Sequence, residues 1–113
     1  MKEIKAYIKP HKLSEVTKAL HKIENLTGVS VVQVEGFARS RKQNGPDQNS
    51  EDWVFYVSHA KIEIMCLDEM VDQIVSTILK TAHTGLRGDG KIYISTIDEA
   101  IRIETGEHGE VAI

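Results

Sequence analysis

The period of the apolar residues switches repeatedly between two and about 3.6 along this chain, and the order of the switches restricts the fold more than any other property. Ile4, Ala6 and Ile8 alternate with Glu3, Lys5, Tyr7 and Lys9, the pattern of a strand with two unlike faces, which ends at Pro10. From Lys12 to about Glu24, Leu13, Val16, Ala19, Leu20 and Ile23 keep helical spacing, and the helix is expected to stop near Asn25. Thr27-Gly28 turns the chain into a β-branched run from Val29 to Phe37, in which Gly36 suggests a bend or a close backbone approach. Ile62, Ile64 and Cys66 alternate with Lys61, Glu63 and Met65 as a third strand, and Asp68 is placed to cap the next helix. That helix carries Met70, Val71, Ile74, Val75, Ile78, Leu79 and Ala82 on one wide face, with Lys80 and His83 in its last turn. A fourth strand is predicted from Lys91 to about Thr96, and a short one at Ile101–Glu104 precedes a tail with Gly106 and Gly109.

The resulting order, βαββαβ plus a C-terminal hairpin piece, describes an α+β, ferredoxin-like fold: two helices on one face of a four-stranded antiparallel sheet. The 113 residues, 41% of them hydrophobic, suit a single domain spanning 1–113, since no linker divides them. The helix-covered face is expected to hold Ile4, Ala6, Ile8, Val32, Val34, Ile62, Ile64, Ile92 and Ile94. The other face should display Tyr7, Val31, Met65 and Tyr93, a partly apolar surface most economically covered by copies of the same chain, so a homo-oligomer is expected.

The stretch from Ala38 to about Asp52 has neither apolar period nor core residues and reads as an exposed loop. A polar loop of that length in a small domain is usually functional, which makes it a candidate docking element; a bare hairpin tip is the alternative. Trp53, Phe55 and Tyr56 close it and begin the returning strand.

The second helix delivers the chain to Thr84-Gly85-Leu86-Arg87-Gly88-Asp89-Gly90-Lys91. Glycines at 85, 88 and 90 allow positive φ and close backbone approach, so N–H groups can converge on an anion while Arg87 and Lys91 supply charge. Gly85 to Lys91 also satisfies G-x-x-x-x-G-K. A nucleoside-triphosphatase loop of that type runs from strand to helix and continues with Ser or Thr; here the order is reversed and Ile92 follows, so that identity is excluded while the anion chemistry stays. The plain alternative is a glycine-rich helix terminus and turn.

A net charge of −3 and an isoelectric point near 5.9, with no basic stripe, argue against nucleic acid. The start lacks an apolar signal core and no stretch approaches a membrane span, so a cytoplasmic protein without membrane insertion is expected. Cys66 reads as a small core hydrophobe in a reducing compartment. A metal-binding tolerance protein of the same fold, itself a trimer, is the rival, with His11, His21, His59, His83, His108, Met65 and Cys66 as donors. No pair has a recognised ligand spacing, and Met65 and Cys66 should point to opposite faces, so no metal site is assigned. An enzyme has little support, because no carboxylate pair or Ser-His-Asp order stands beside the glycine loop and Asp89 reads as a turn-shaping residue.

Taken together, Ile8-Lys9-Pro10 with Lys12-Leu13, Gly36-Phe37 and Arg39, Lys61-Ile62-Glu63, Thr84-Gly85, Gly88-Asp89-Gly90-Lys91-Ile92, Ile101-Arg102-Ile103 and Thr105-Gly106-Glu107 resemble the PII nitrogen regulatory signalling proteins over nearly the whole chain. The resemblance implies a homotrimer of ferredoxin-like subunits with an adenine nucleotide (ADP, AMP or ATP) in each cleft between subunits. It also implies a protruding T-loop, here about 38–57, that docks onto a regulated target, a transporter or an enzyme. It implies a sensor, not an enzyme. Carried over residue by residue, it assigns Gly88, Asp89, Gly90 and Lys91 to the phosphate segment, Arg39 and Arg102 to phosphate-side arginines, Thr84 and Gly85 to the approaching loop, Ser30 to the neighbourhood of the base, and Gly36, Phe37 and Ala38 to the loop base. Ser40, Arg41, Asp52 and Trp53 fall in the partner-binding loop.

The departures from the family are specific. Gly-Phe-Gly-Arg-Gln reads here as Gly36-Phe37-Ala38-Arg39-Ser40, removing the glutamine that helps hold Mg²⁺ and 2-oxoglutarate, and His59 stands about where a lysine is usual. Asp52 occupies the place of the tyrosine that some members modify by uridylylation, and Ile101-Arg102-Ile103-Glu104 ends in an anion where an arginine is usual. They predict that 2-oxoglutarate adds nothing, leave Mg²⁺ open, and point to a divergent PII-like member. The atypical loop followed by a Cys66-containing strand is similar to the branch associated with heavy-metal efflux transporters.

Overall fold

The computed structural model describes residues 1–40 and 53–113. Strand β1 (Lys2–Ile8) leads through a 3₁₀ turn at Pro10–Lys12 into helix α1 (Leu13–His21). Strands β2 (Ser30–Ser40) and β3 (Trp53–Cys66) follow, then a 3₁₀ turn at Asp68–Met70, helix α2 (Val71–Ala82), strand β4 (Gly90–Thr96) and a 3₁₀ turn at Gly109–Ala112. The four strands form one antiparallel sheet in the order β2-β3-β1-β4, the ferredoxin-like arrangement expected. Among the described residues no helix is long and apolar enough to cross a membrane.

The core lies between the helices and one sheet face. Ile4, Ala6 and Ile8 of β1 and Ala60, Ile62, Ile64 and Cys66 of β3 meet Val16, Leu20 and Ile23 from the first helical segment and Ile74, Ile78 and Ala82 of α2, all buried. Each fully buried isoleucine contributes about 1.5–3 kcal/mol relative to an exposed one, so this layer dominates the stability of the fold. Pro10 starts the first turn because its fixed φ suits a helix entrance and its missing N–H would have had no partner there. The first helix ends at His21, earlier than the apolar spacing suggested. Beyond it the chain tightens into turns, with the Ile23 amide donating to Leu20 O at 3.0 Å and that of Leu26 to Ile23 O at 3.4 Å. Asn25 then reverses direction at φ 67, a conformation asparagine tolerates better than most residues.

Four expectations need correction. In β2 the faces are exchanged: Val31 lies opposite Ile62 on the helix side, whereas Val32 and Val34 lie opposite Lys61 and His59 on the open side. The doubled Val31-Val32 erases the alternation, so only pairing with β3 sets the phase. Ile94 does face the helices, yet it is 50% exposed. It sits on an edge strand and borders an open groove lined by Val71, Val75 and Leu79 of α2. Asp68 does not cap the helix; its carboxylate accepts from the Met1 ammonium at 2.7 Å, an electrostatic competitor the apolar pattern could not reveal. Ile101–Glu104 is not a strand: Ile101 makes one bridge to His108 and 103–105 form a turn, because among the described residues no strand runs beside it.

The returning strand begins at Trp53, as expected, and the segment assigned to 38–57 overlaps a ribbon at both ends. The β2–β3 ladder continues through Ala38↔Phe55 and Arg39↔Val54 to Ser40↔Trp53, so Ala38, Arg39, Ser40 and Trp53 are ribbon residues. Arg41 and Asp52 lie outside the described residues. The open sheet face is mixed as predicted. Tyr93 and Met65 are 53% and 39% exposed, beside the ion pairs Lys5–Glu3 (3.4 Å) and Lys61–Glu63 (3.0 Å). Met65 and Cys66 do fall on opposite faces, the thiol being buried in the core, where desolvation pushes it above its ordinary pKa.

Candidate anion site at one end of the sheet

The chain leaves α2 in extended conformation at His83 (φ −68, ψ 128) and runs through the glycine stretch into β4. Gly85, Gly88 and Gly90 have φ of 82, 84 and 102. Gly90 is also the point of closest approach: paired with Ile8 of β1, it leaves so little room that an added Cβ would sit 1.6 Å from Tyr7 O.

One carboxylate organises the loop. Asp89 Oδ2 accepts from the Thr84 N–H at 2.9 Å and the Gly85 N–H at 3.3 Å, and Oδ1 accepts from the Thr84 hydroxyl. The Lys9 ammonium donates to Thr84 Oγ1 at 3.0 Å and lies 3.2 Å from Asp89 Oδ1, while His83 Nδ1 lies 3.3 Å from Oδ2. The Leu86 N–H donates to Thr84 Oγ1 at 3.1 Å. The Thr84 hydroxyl and amide, followed by Lys9 and the Gly85 amide, hold the Asp89 carboxyl well below the usual carboxylate range. The amides of 84–86 therefore turn into the loop. Residues 87–88 form a turn with positive φ at Gly88 and, beyond Asp89, at Gly90, and among the described residues no protein acceptor receives the Gly88 amide, the geometry of an anion nest.

Lys91, the first residue after the nest, stands on the open sheet face opposite Tyr7. Tyr7 meets Tyr93 and His59 edge-on at ring separations of 6.0 Å and 6.5 Å. With Lys5, Phe37 and the Gly88–Lys91 segment these rings line an open cleft of about 870 Å³. A backbone nest, two ammonium groups and an aromatic wall make a site suited to a phosphate joined to a flat, polarisable group.

Of the residues singled out from the sequence, Phe37, Gly88, Asp89, Gly90 and Lys91 come together in this cleft, with Thr84 and Gly85 behind them. Gly36 lies next to Phe37 at the same end of the sheet, opposite Val57, and the backbones of Ala38 and Arg39 continue the ribbon beyond it. Ser30 and Arg102 do not join them. Ser30 pairs with Glu63 at the start of β2, and the Arg102 guanidinium donates to Val111 O at 2.9 Å, after the far end of β4. Lys9, His83, Tyr7, His59, Lys5 and Tyr93 were not assigned to the site from the sequence. The pairing Ile8↔Gly90 is the signal that finds Lys9, since antiparallel neighbours of paired residues adjoin: Lys9 must come beside Asp89.

The model of the family described as nitrogen regulatory protein P-II matches residues 1–107. The nitrogen regulatory protein P-II of Azospirillum brasilense is 40% identical over 113 residues, covering 100% of both chains. That of Rhodobacter capsulatus is 43% identical and P-II 1 of Escherichia coli (strain K12) 42% identical, each over 113 residues and 100% of both chains. Among solved structures, B. subtilis GlnK superimposes with a TM-score of 0.85 at 27% identity, covering 99% of this chain and 97% of that one. A B. subtilis GlnK–ATP complex gives 0.86 at 27% identity, covering 99% and 96%.

Proposed function

The chain belongs to the nitrogen regulatory protein P-II family, and from that premise we propose that it is a single-domain signalling subunit whose cleft takes an adenine nucleotide and whose 38–57 segment docks on a regulated target. One observation carries the reading: the glycine nest with Lys91 lies at the N-terminal end of β4, and Arg102 comes after the opposite end of that strand. A seven-residue strand separates its ends by about 20 Å, too far for Lys91 and Arg102 of one chain to grip the same phosphate group. A ring of three copies, packed through the half-exposed Met65, Tyr93 and Val32 face, brings the Arg102 end of one subunit to the Lys91 end of the next. The ATP named in the B. subtilis GlnK complex supports an adenine nucleotide as the occupant. Arg39 and Gly36 then approach the phosphates from the ribbon, and Ser30 of the adjoining copy approaches the base.

The output is regulatory and not catalytic: Asp89, the carboxylate nearest the nest, is engaged inside the loop and offers no general base toward the cleft. The target is a transporter or an enzyme, with a heavy-metal efflux transporter as the candidate favoured by the atypical loop and the Cys66 strand. Calorimetry with AMP, ADP and ATP, each with and without Mg²⁺ and 2-oxoglutarate, tests the reading. Lys91→Ala should weaken nucleotide binding by about 1.5–3 kcal/mol, the range for a charge-assisted hydrogen bond, without altering the sedimentation of the oligomer. Unchanged affinity in that variant would reduce the loop to a turn.

A further inference from the structure

We infer that Lys9 and Asp89, joined through Thr84, are positioning residues for the anion site: they hold the 84–90 loop in its phosphate-accepting shape and touch no phosphate themselves. The inference rests on the nucleotide reading above and names two groups that set its affinity from behind the loop. A carboxylate beside a phosphate site is paradoxical on Coulomb grounds, because like charges repel. The geometry resolves the paradox. Both oxygens of Asp89 are turned inward, toward the Thr84 hydroxyl, the Thr84 and Gly85 amides, Lys9 and His83. Lys9 is engaged in the same way: its side chain is 19% exposed, and its ammonium lies between Thr84 Oγ1 and Asp89 Oδ1. Its Cε lies 3.8 Å from where a Cβ on Gly88 would stand, so the nest is folded over the lysine stem.

These contacts divide the loop amides into two sets. Those of Thr84, Gly85 and Leu86 are consumed within the loop, and that of Gly88 remains for an anion. Without the carboxylate, the Thr84 and Gly85 amides lose their acceptor and the loop has no reason to keep the Gly88 amide turned toward the cleft. Lys9 neutralises Asp89 locally, so the pair adds little net charge to the cleft and its effect is one of shape.

Shape and charge predict opposite signs, which makes the inference testable in the full-length protein. Asp89→Asn removes a negative charge next to the phosphates. If charge decided, ADP would bind more tightly; positioning requires ADP affinity to fall about tenfold or more, the scale of one lost charge-assisted bond. Lys9→Met should weaken ADP similarly. Thr84→Ser, which keeps the hydroxyl, should retain affinity, whereas Thr84→Val, of the same shape, should lose it. The inference is overturned if Asp89→Asn binds ADP as tightly as the unaltered protein or more tightly, or if the two Thr84 variants bind alike.

Amide resonances of the nucleotide-free protein separate local from global effects. Movement confined to the loop, Gly85, Gly88 and Gly90 included, is the expected result. Should Asp89→Asn disturb the whole spectrum, Thr84→Val, which carries no charge change, decides. Failure of the unaltered protein to bind ADP would sink the nucleotide reading alone. Stationary loop glycine resonances in Asp89→Asn and Thr84→Val would sink the positioning role alone.

Discussion

Alanine placed at three glycines should separate conformational strain from collision. At Gly90 both act: φ is 102, and a Cβ would lie 1.6 Å from Tyr7 O and 2.7 Å from its carbonyl carbon. Real Cβ atoms essentially never come closer than 3.0 Å to such neighbours, so β4 must move away from β1 by more than 1 Å at the Ile8↔Gly90 pair. The positive φ costs an alanine about 1–2 kcal/mol, and the displaced ladder end adds about one hydrogen bond, another 0.5–1.5 kcal/mol. Gly90→Ala should therefore cost about 1.5–3.5 kcal/mol, a large share of the ~5–15 kcal/mol that holds a domain together. At Gly88 φ is 84 but the nearest atom, Lys9 Cε, stands 3.8 Å off, so only the strain of about 1–2 kcal/mol applies. Gly36 has neither a positive φ nor an atom within 4 Å, and alanine there should be tolerated. Urea unfolding of the three variants gives the ordering directly. Gly90→Ala as stable as Gly88→Ala would show that the strands do not approach as closely as the Ile8↔Gly90 pairing requires. Nucleotide affinity should follow the same order at 90 and 88, because both residues frame the nest.

Three further perturbations address the assembly, the lock and selectivity. Met65→Glu puts a carboxylate directly across from Glu3 on the open face, where a lysine would instead find a partner; a charge left unpaired in a subunit interface costs about 3–5 kcal/mol, so the variant should sediment as a monomer. A trimer that persists would show this face to be solvated. The Asp89 carboxyl is held below its ordinary pKa, so its contribution is complete above about pH 4 and is lost only as pH falls further. Stability measured down to about pH 2 should decline less steeply in Asp89→Asn than in the unaltered protein, and equal slopes would contradict the lock. Glu104 stands two residues from Arg102 on an exposed turn, where an anion opposes an outer phosphate by about 1 kcal/mol in water and about 4 kcal/mol at an effective dielectric of 20. ADP should bind at least as tightly as ATP, Glu104→Arg should shift the preference toward ATP, and a severalfold ATP preference in the unaltered protein would refute the assignment.

Where periodicity was clean, the chain was legible. Ile4-Ala6-Ile8 and Ile62-Ile64-Cys66 each present one apolar face, and all six residues are buried on it. Where two β-branched residues adjoin, as in Val31-Val32, both phases satisfy the pattern and only tertiary pairing chooses. The returning side of the ribbon was legible from Trp53, but its continuation in β2 from Ala38 to Ser40 was hidden for a related reason: away from the helices a strand has no core to face, so its sequence loses the apolar alternation while its backbone ladder continues. Glycine positions were informative because their requirement is local; Gly85, Gly88 and Gly90 all adopt positive φ. The partners of Asp89 were not, because Lys9 lies eighty residues away in the chain and becomes a neighbour only through the β1–β4 register.

That register also decides what one subunit can and cannot do. In an antiparallel sheet the C-terminal end of β1 adjoins the N-terminal end of β4, so Ile8, Lys9, Asp89, Gly90 and Lys91 collect at one edge. By the same geometry the C-terminal end of β4 adjoins the N-terminal end of β1: Thr96 pairs with Lys2, and the Ile97 amide donates to Met1 O at 3.0 Å. Arg102 comes after that end and is tied to Val111. No motion of side chains alone closes a gap of about 20 Å. If Lys91 and Arg102 serve one ligand they must come from different copies, and mixed oligomers test this directly. Lys91→Ala and Arg102→Ala subunits, each defective when assembled alone, should recover about one unaltered cleft wherever the unaltered Lys91 end of one meets the unaltered Arg102 end of the other. Mixtures of the two variants that bind no more nucleotide than either alone would place both residues in the same subunit's site and overturn the shared cleft.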